Sequence, residues 1–346
     1  MKLQAVLLEG RDRGASDIHL SSGRLPMLRV HGELHTLAAP VMLDDEIREG
    51  ISQVMPASQR ARFEQSLDTC FAFEVAEECR FRAAVFVQQQ GISAIFRPIP
   101  LQCPTLEDLG APSVLCDLLL KPSGLILVTG PAGSGKTTAL AAMVHHINTH
   151  QARHLVIIEN PTEFIHPPQR SLIHQREIGR DARSFPSAIR ATQFHNADVI
   201  VIGEMRDADT IRLALAAAES GHLVLGGVPT SGTSKTIERI TDLFALQDRE
   251  MIRAMLADSI EAVMSQVLCK RTNGPGQIAA HEVLVASTAI RNLIRDGKFT
   301  QMYSAIQSGG TVGMLTLDQS MAALVREGAI RIEEARERAR FPDDFS

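Results

Sequence analysis

Two rhythms of apolar and polar positions divide this chain. Over roughly the first hundred residues the two kinds partly alternate in short runs, at Pro26–His31, Cys79–Gln88 and Gly91–Phe96, which predicts strands with a helix or two among them. Further on, unbroken apolar runs such as Leu125–Val128, Leu155–Ile158 and Val199–Ile202 alternate with longer segments of helical spacing. Continuous apolar strands suit a parallel sheet, whose strands are covered on both faces. The prediction is therefore a small α+β domain followed by an α/β domain with a mostly parallel sheet flanked by helices. From Thr288 the pattern is helical, over Ala289–Arg295, Leu317–Arg326 and a charged Arg331–Arg340 tail. Met251–Met264 also carries Met and Leu at helical spacing, which reads as core or interface packing. Between the two rhythms, Arg97–Pro104 holds Pro98, Pro100 and Pro104 and reads as an extended linker, because proline disfavours helix in the residue before it. The predicted domains are 1–97 and 113–346, with 98–112 joining them.

The strand over Leu125–Thr129 leads into Gly130-Pro131-Ala132-Gly133-Ser134-Gly135-Lys136-Thr137, and Thr137–Val144 supplies helix formers with an apolar face. Strand, glycine-rich turn and helix in this order form a phosphate-binding loop. The glycines let successive N–H groups converge on phosphate oxygens, and the helix N-terminus adds partial positive charge. Lys136 would reach the β- and γ-phosphates, Thr137 would complete the coordination of Mg²⁺, and Thr138 is a further donor for the α-phosphate.

Such a site also needs a buried strand that delivers a carboxylate to the metal side of the triphosphate. Val199–Ile202 followed by Gly203-Glu204 fits: the strand is β-branched throughout, and Glu204 emerges at its carboxyl end, where open α/β sheets bind ligands. A third strand, Leu155–Ile158, runs into Glu159-Asn160-Pro161-Thr162-Glu163. As the neighbour of the loop's strand, it would bring Glu159 or Glu163 beside the γ-phosphate to orient or deprotonate water.

Composition narrows the function without adding to it. With 346 residues and 45% hydrophobic content the chain can bury two cores. With a formal net charge of −5 and no Lys/Arg block, the chain lacks the electrostatic footprint of a dedicated nucleic-acid binder, and no nucleic-acid partner is predicted. Five cysteines (Cys70, Cys79, Cys103, Cys116 and Cys269) with no Cys-x-x-Cys pair fit reduced thiols in the cytoplasm. The longest apolar stretches are strand-length, so neither a signal peptide nor a membrane span is predicted. His145, His146 and His150 lie without an acidic partner at metal-site spacing and read as solvated or packed. Arg206 and Asp207 read as a structural ion pair.

Taken together these motifs resemble the secretion-type hexameric ATPases, specifically the twitching-motility ATPases that retract type IV pili. Ala15–Leu20 resembles the family's opening motif, and Arg80-Phe81-Arg82 with Phe96-Arg97-Pro98 its arginine segments. Ile158–Glu163 resembles its acidic box, Gly203–Asp207 its second acidic motif, and Gly221-His222-Leu223-Val224 the start of its histidine box. Ala289–Arg295, then Gly309-Gly310 and Met314–Asp318, are similar to C-terminal segments of the retraction branch. A longer N-terminal region and a four-cysteine zinc insertion, typical of the other branches, are both missing. The resemblance implies an N-terminal PAS-like domain linked to a RecA-like P-loop ATPase core, in a homo-hexameric ring with ATP and Mg²⁺ between the domains. It implies that Arg82 and Arg97 approach the phosphates, that His222 serves the nucleotide, and that Glu163 and Glu204 position water and Mg²⁺, with the identity of the base open. The implied output is retraction of pilin through an inner-membrane platform protein, by a cytoplasmic enzyme peripherally bound to that membrane.

Three departures from the family pattern lie in or beside these elements. Asn160 replaces the acidic box's aspartate, Phe194-His195-Asn196-Ala197 replaces the Arg-Glu-Asp-Pro lead-in upstream of Glu204, and Pro229 replaces the second histidine of the histidine box. Proline offers neither a ring nitrogen nor an N–H. The alternative function is therefore a nucleotide-binding paralogue with weak or no hydrolysis, regulating or accompanying a pilus or secretion motor, either within a ring mixed with an active paralogue or docked beside one.

Overall fold

The computed structural model describes residues 3–30, 32–75, 79–274 and 276–345. His31, the last residue of one predicted strand, and the chain-end residues Met1, Lys2 and Ser346 lie outside the described residues. The chain forms two compact units. The first comprises Met1–Gln102 with Asn160–Ile165 and Glu177–Arg183, and the second Cys103–Glu159, His166–Arg176 and Ser184–Ser346. The division falls after Gln102, and two segments from the middle of the chain join the first unit, which the hydrophobic pattern alone does not announce.

In the first unit six strands form an antiparallel sheet: β1 (Asp17–Ser21), β2 (Met27–Val30), β3 (Glu33–Thr36), β4 (Asp68–Val75), β5 (Cys79–Gln88) and β6 (Gly91–Ile99), in the order β3-β2-β1-β6-β5-β4. Alternating burial along β4 shows why the period-2 pattern holds: one face packs on a core containing Leu7, Ile18, Leu28, Phe71, Phe81 and Phe96, and the other does not. Strand β6 continues through Pro98, two residues into the predicted linker. Its ladder with β1 ends at Phe96, so Pro98 faces a ladder on the β5 side alone and its missing N–H is tolerated there.

The second sheet holds β7 (Gly124–Thr129), β8 (His154–Glu159), β9 (Leu172–Glu177, whose last residue belongs to the first unit), β10 (Val199–Ile202), β11 (Leu223–Val228), β12 (Ile260–Lys270) and β13 (Gln277–Val285). Their order is β13-β12-β7-β11-β10-β8-β9. Pairing is parallel from β12 through β7, β11 and β10 to β8, and antiparallel between β12 and β13, the α/β architecture expected. Every residue of β7, β10 and β11 is buried, as unbroken apolar runs require.

Two expectations need correction. Helix Arg249–Ser259 ends midway through the predicted helical stretch Met251–Met264, and Ile260 starts β12, whose buried residues pair with β7. Strand β8 is not the neighbour of the loop's strand, because β11 and β10 lie between them. With strands spaced about 5 Å apart, Glu159 ends a strand roughly 14 Å across the sheet from β7.

Candidate functional site

The phosphate loop joins β7 to helix Lys136–His150 at the carboxyl edge of the parallel strands. Gly135, the residue before the helix, has φ +86, a left-handed conformation that side chains other than glycine's resist. Pro131, Ala132 and Gly133 are exposed, whereas Ser134 is buried. The N–H groups of the helix's first turn have no partner within the helix and are free to meet an anion. Lys136 Nζ donates to the carbonyls of Gly130 at 2.9 Å and Pro131 at 2.8 Å, so its ammonium closes over the loop's own backbone. Burial lowers the Lys136 pKa from its ordinary value, Arg206 works in the same direction, and the charge of Glu204 opposes both. That electrostatic reach joins the loop lysine to the carboxylate predicted for the metal side.

A cluster of hydroxyls backs the loop. Thr129 donates to the Thr230 carbonyl, Thr236 Oγ1 lies 2.7 Å from Thr230 Oγ1 and 3.0 Å from Thr129 Oγ1, and Thr236 also donates to the Gly232 carbonyl. These contacts tie the ends of β7 and β11 to helix Thr233–Asp242. Thr230 directly follows Pro229, so the altered histidine box still supplies a hydroxyl at the carboxyl edge. The phosphate-loop motif does not announce this cluster; its signal in the chain is three threonines beside otherwise apolar strand ends.

Glu204 leaves β10 after Gly203, and the Met205 N–H donates to the Gly227 carbonyl at 2.7 Å, anchoring the turn to β11. Arg206 pairs with Glu204 at 2.6 Å, its side chain 73% exposed. The ion pair expected between Arg206 and Asp207 does not form. Asp207 instead caps helix Ala208–Glu219, accepting from Thr210 N–H at 2.8 Å and from Thr210 Oγ1 at 2.8 Å.

Glu163 belongs to the first unit, where Arg82 Nη1 on β5 lies 2.7 Å from its Oε1. Burial opposes the guanidinium charge of Arg82, but Cys70 and Glu163 outweigh it and raise the Arg82 pKa. Arg82 Nε also donates to Cys70 Sγ at 3.3 Å. One residue before Glu163, the Thr162 N–H donates to Glu177 at 3.0 Å, and the Thr162 carbonyl accepts from Arg80 at 3.0 Å. Three side chains from two other segments thus hold the acidic box. Arg97 pairs with Asp17 at 2.8 Å. Both arginines assigned to the phosphates by resemblance are therefore engaged within their own unit.

His222 does not join the loop residues. It precedes β11 at the amino edge of the sheet, where its carbonyl accepts from the Gly124 N–H and its Nδ1 lies 3.0 Å from the Ala217 carbonyl. The rest of β7, residues 125–129, separates Gly124 from the loop. The C-terminal helix Thr288–Arg295 is held by Arg291, which donates to the Ala257 and Asp258 carbonyls at the end of helix Arg249–Ser259 and pairs with Glu261. His146 and His150 stack at 4.2 Å, and among the described residues no group of three or more His, Cys, Asp or Glu side chains could hold a metal ion.

Comparison with known proteins gives this geometry a context. A family model described as "Type II/IV secretion system protein" matches residues 2–337. The chain is 45% identical over 345 residues, the full length of both proteins, to a Pseudomonas aeruginosa protein named type IV pilus retractation ATPase PilT. It is 46% identical over 321 residues to a Neisseria gonorrhoeae twitching motility protein, covering 93% of this chain and 86% of that one. The crystal structure of the pilus retraction motor PilT with bound ADP superposes with a TM-score of 0.88 at 37% identity, covering 99% of this chain and 98% of the other.

Proposed function

We infer that this chain, which belongs to the type II/IV secretion system protein family, is an ATP-hydrolysing motor that retracts a type IV pilus. The observation that carries the reading is the carboxyl edge of the parallel sheet, where β7 runs into the glycine loop and Lys136 and β10 runs into Glu204, with β11 alone between the two strands. Full-length identity of 45% to a named retraction ATPase supports it.

The residues fit a Mg²⁺-nucleotide. Loop and helix N–H groups, with Lys136, Thr137 and Thr138, would bind the phosphates, while Thr137 and Glu204 would hold the metal. Bound Mg²⁺ would neutralise charge on the phosphate oxygens. Lys136 must exchange its two carbonyl partners for phosphate oxygens, and charged phosphate oxygens are stronger acceptors for a half-buried ammonium than neutral carbonyls are. Glu163 and Glu204 are the carboxylates assigned to water positioning and metal organisation. Arg82 and Arg97 serve the phosphates once they exchange Glu163 and Asp17 for them. The working assembly is a homo-hexamer acting on an inner-membrane platform protein from the cytoplasmic side. No described helix is long and apolar enough to cross a membrane.

Asn160 and Pro229 favour a second reading, a nucleotide-binding partner of an active paralogue with little hydrolysis of its own. Turnover by the purified protein, measured beside Lys136→Ala and Glu204→Ala, separates the two. The motor reading expects wild-type turnover that both variants lose. Thermal stabilisation by Mg-ATP without turnover, at concentrations that assemble a ring, would overturn it in favour of the partner.

A further inference from the structure

Gln266 is a polar residue inside the apolar strand β12, between Ser265 and Val267, and only 2% of it is exposed. Its Nε2 donates to the carbonyl of Ser134 in the phosphate loop at 2.7 Å. A trans peptide unit is planar, with its C=O and N–H pointing in opposite directions. Tying the Ser134 carbonyl to β12 therefore turns the N–H of the same peptide, which belongs to Gly135, away from β12 and toward the open side of the loop. The fit is close on both flanks: a Cβ on Gly135 would come within 2.6 Å of Gln266 Nε2, and one on Gly130 would collide with the Gln266 carbonyl.

Gln266 is itself braced. Its antiparallel partner is His281 on β13, also 2% exposed, whose main-chain N–H donates to Ser320 Oγ on helix Leu317–Arg326 at 3.1 Å. Burial pushes the His281 imidazole down to about 4, so the group behind Gln266 is neutral near pH 7. A buried glutamine in an apolar strand costs stability unless its amide is used, and Oε1 here has no hydrogen-bond partner. The bond to Ser134 is the use that the fold makes of it.

We propose that Gln266 is a positioning residue of the nucleotide site, pinning the Ser134 carbonyl so that the Gly135 N–H is aimed at a phosphate oxygen. This rests on the nucleotide-hydrolysing reading above. Gln266→Met keeps the length and burial of the side chain and removes its donor. It is compared with Val263→Ala, which opens space in the same strand at a fully buried residue that touches no loop atom by hydrogen bond. The readouts are the Kd for Mg-ADP, KM and kcat for Mg-ATP, and the melting temperature of the ligand-free protein. Gln266→Met is expected to raise both Kd and KM about tenfold, the loss of one well-aimed hydrogen bond to a charged group, with kcat within about twofold. Val263→Ala is expected to lower the melting temperature at least as far and leave Kd unchanged. Unchanged Kd and KM in Gln266→Met, or an equal rise in Val263→Ala, would overturn the proposal and leave the nucleotide reading standing. A wild-type protein that binds neither Mg-ADP nor Mg-ATP would instead overturn that reading, and the proposal with it.

Discussion

Glu163 and Glu204 carry the same chemistry and are both held by an arginine, at 2.7 Å and 2.6 Å, yet the two pairs are built differently. Arg82 comes from a strand 81 residues away in sequence, and the segment bearing Glu163 is further fixed by Arg80 and Glu177. Glu163 is 17% exposed. Arg206 is two residues from Glu204, and the Glu204 side chain is 32% exposed. A pair made within one turn, with an arginine this exposed, gives little stability and breaks at low cost, which suits a carboxylate that must turn to a metal ion. A pair that closes a long stretch of chain is part of the fold of its unit, and breaking it costs that unit more than breaking a local pair does.

The largest expected effect sharpens that contrast. Glu163→Gln and Glu204→Gln should each cut ATP turnover about 100-fold or more, the scale of a lost acid–base or charge-stabilising group. Glu163→Gln should also lower the melting temperature, while Glu204→Gln leaves it within about a degree. Equal melting temperatures for the two variants would erase the difference between the pairs.

Double-mutant cycles in equilibrium unfolding probe the same contrast at smaller scale. Arg82 is itself more than a third exposed, so its coupling to Glu163 is expected at no more than about 1 kcal/mol, against about 0.3 kcal/mol or less for Arg206 with Glu204. A larger coupling for Arg206 would reverse the assignment of which pair is structural. The smallest effect is expected at His222, on the amino edge of the sheet. His222→Ala should change KM and kcat by less than about twofold in the ring, and a tenfold rise in KM would restore the role implied by the histidine box.

Much of the chain was legible in advance where the requirement is local. The phosphate loop is contiguous, so its glycines, its lysine and the flanking strand and helix can be read from eight neighbouring positions. Helix Leu317–Arg326 coincides with its prediction, because Thr316 and Gln319 cap each other through contacts three residues apart. Strand β5 coincides with its prediction for the same kind of reason, the period-2 pattern of one buried face.

By itself, then, the sequence determined the α/β class, the nucleotide loop and the presence of carboxylates at two strand ends, all of which follow from periodicity and from backbone needs a few residues long. The tertiary structure alone decided strand order, and with it that β8 lies three strands from β7, that His222 and the loop occupy opposite edges, and that Glu163 answers to Arg82. It also decided where helix Arg249–Ser259 gives way to β12, since the spacing of Met251–Met264 suits a helix throughout until β7 supplies hydrogen bonds to Ile260 and beyond. Which of two compatible local structures wins, and which distant charge a carboxylate meets, depend on contacts closed across tens of residues, and no local pattern records them.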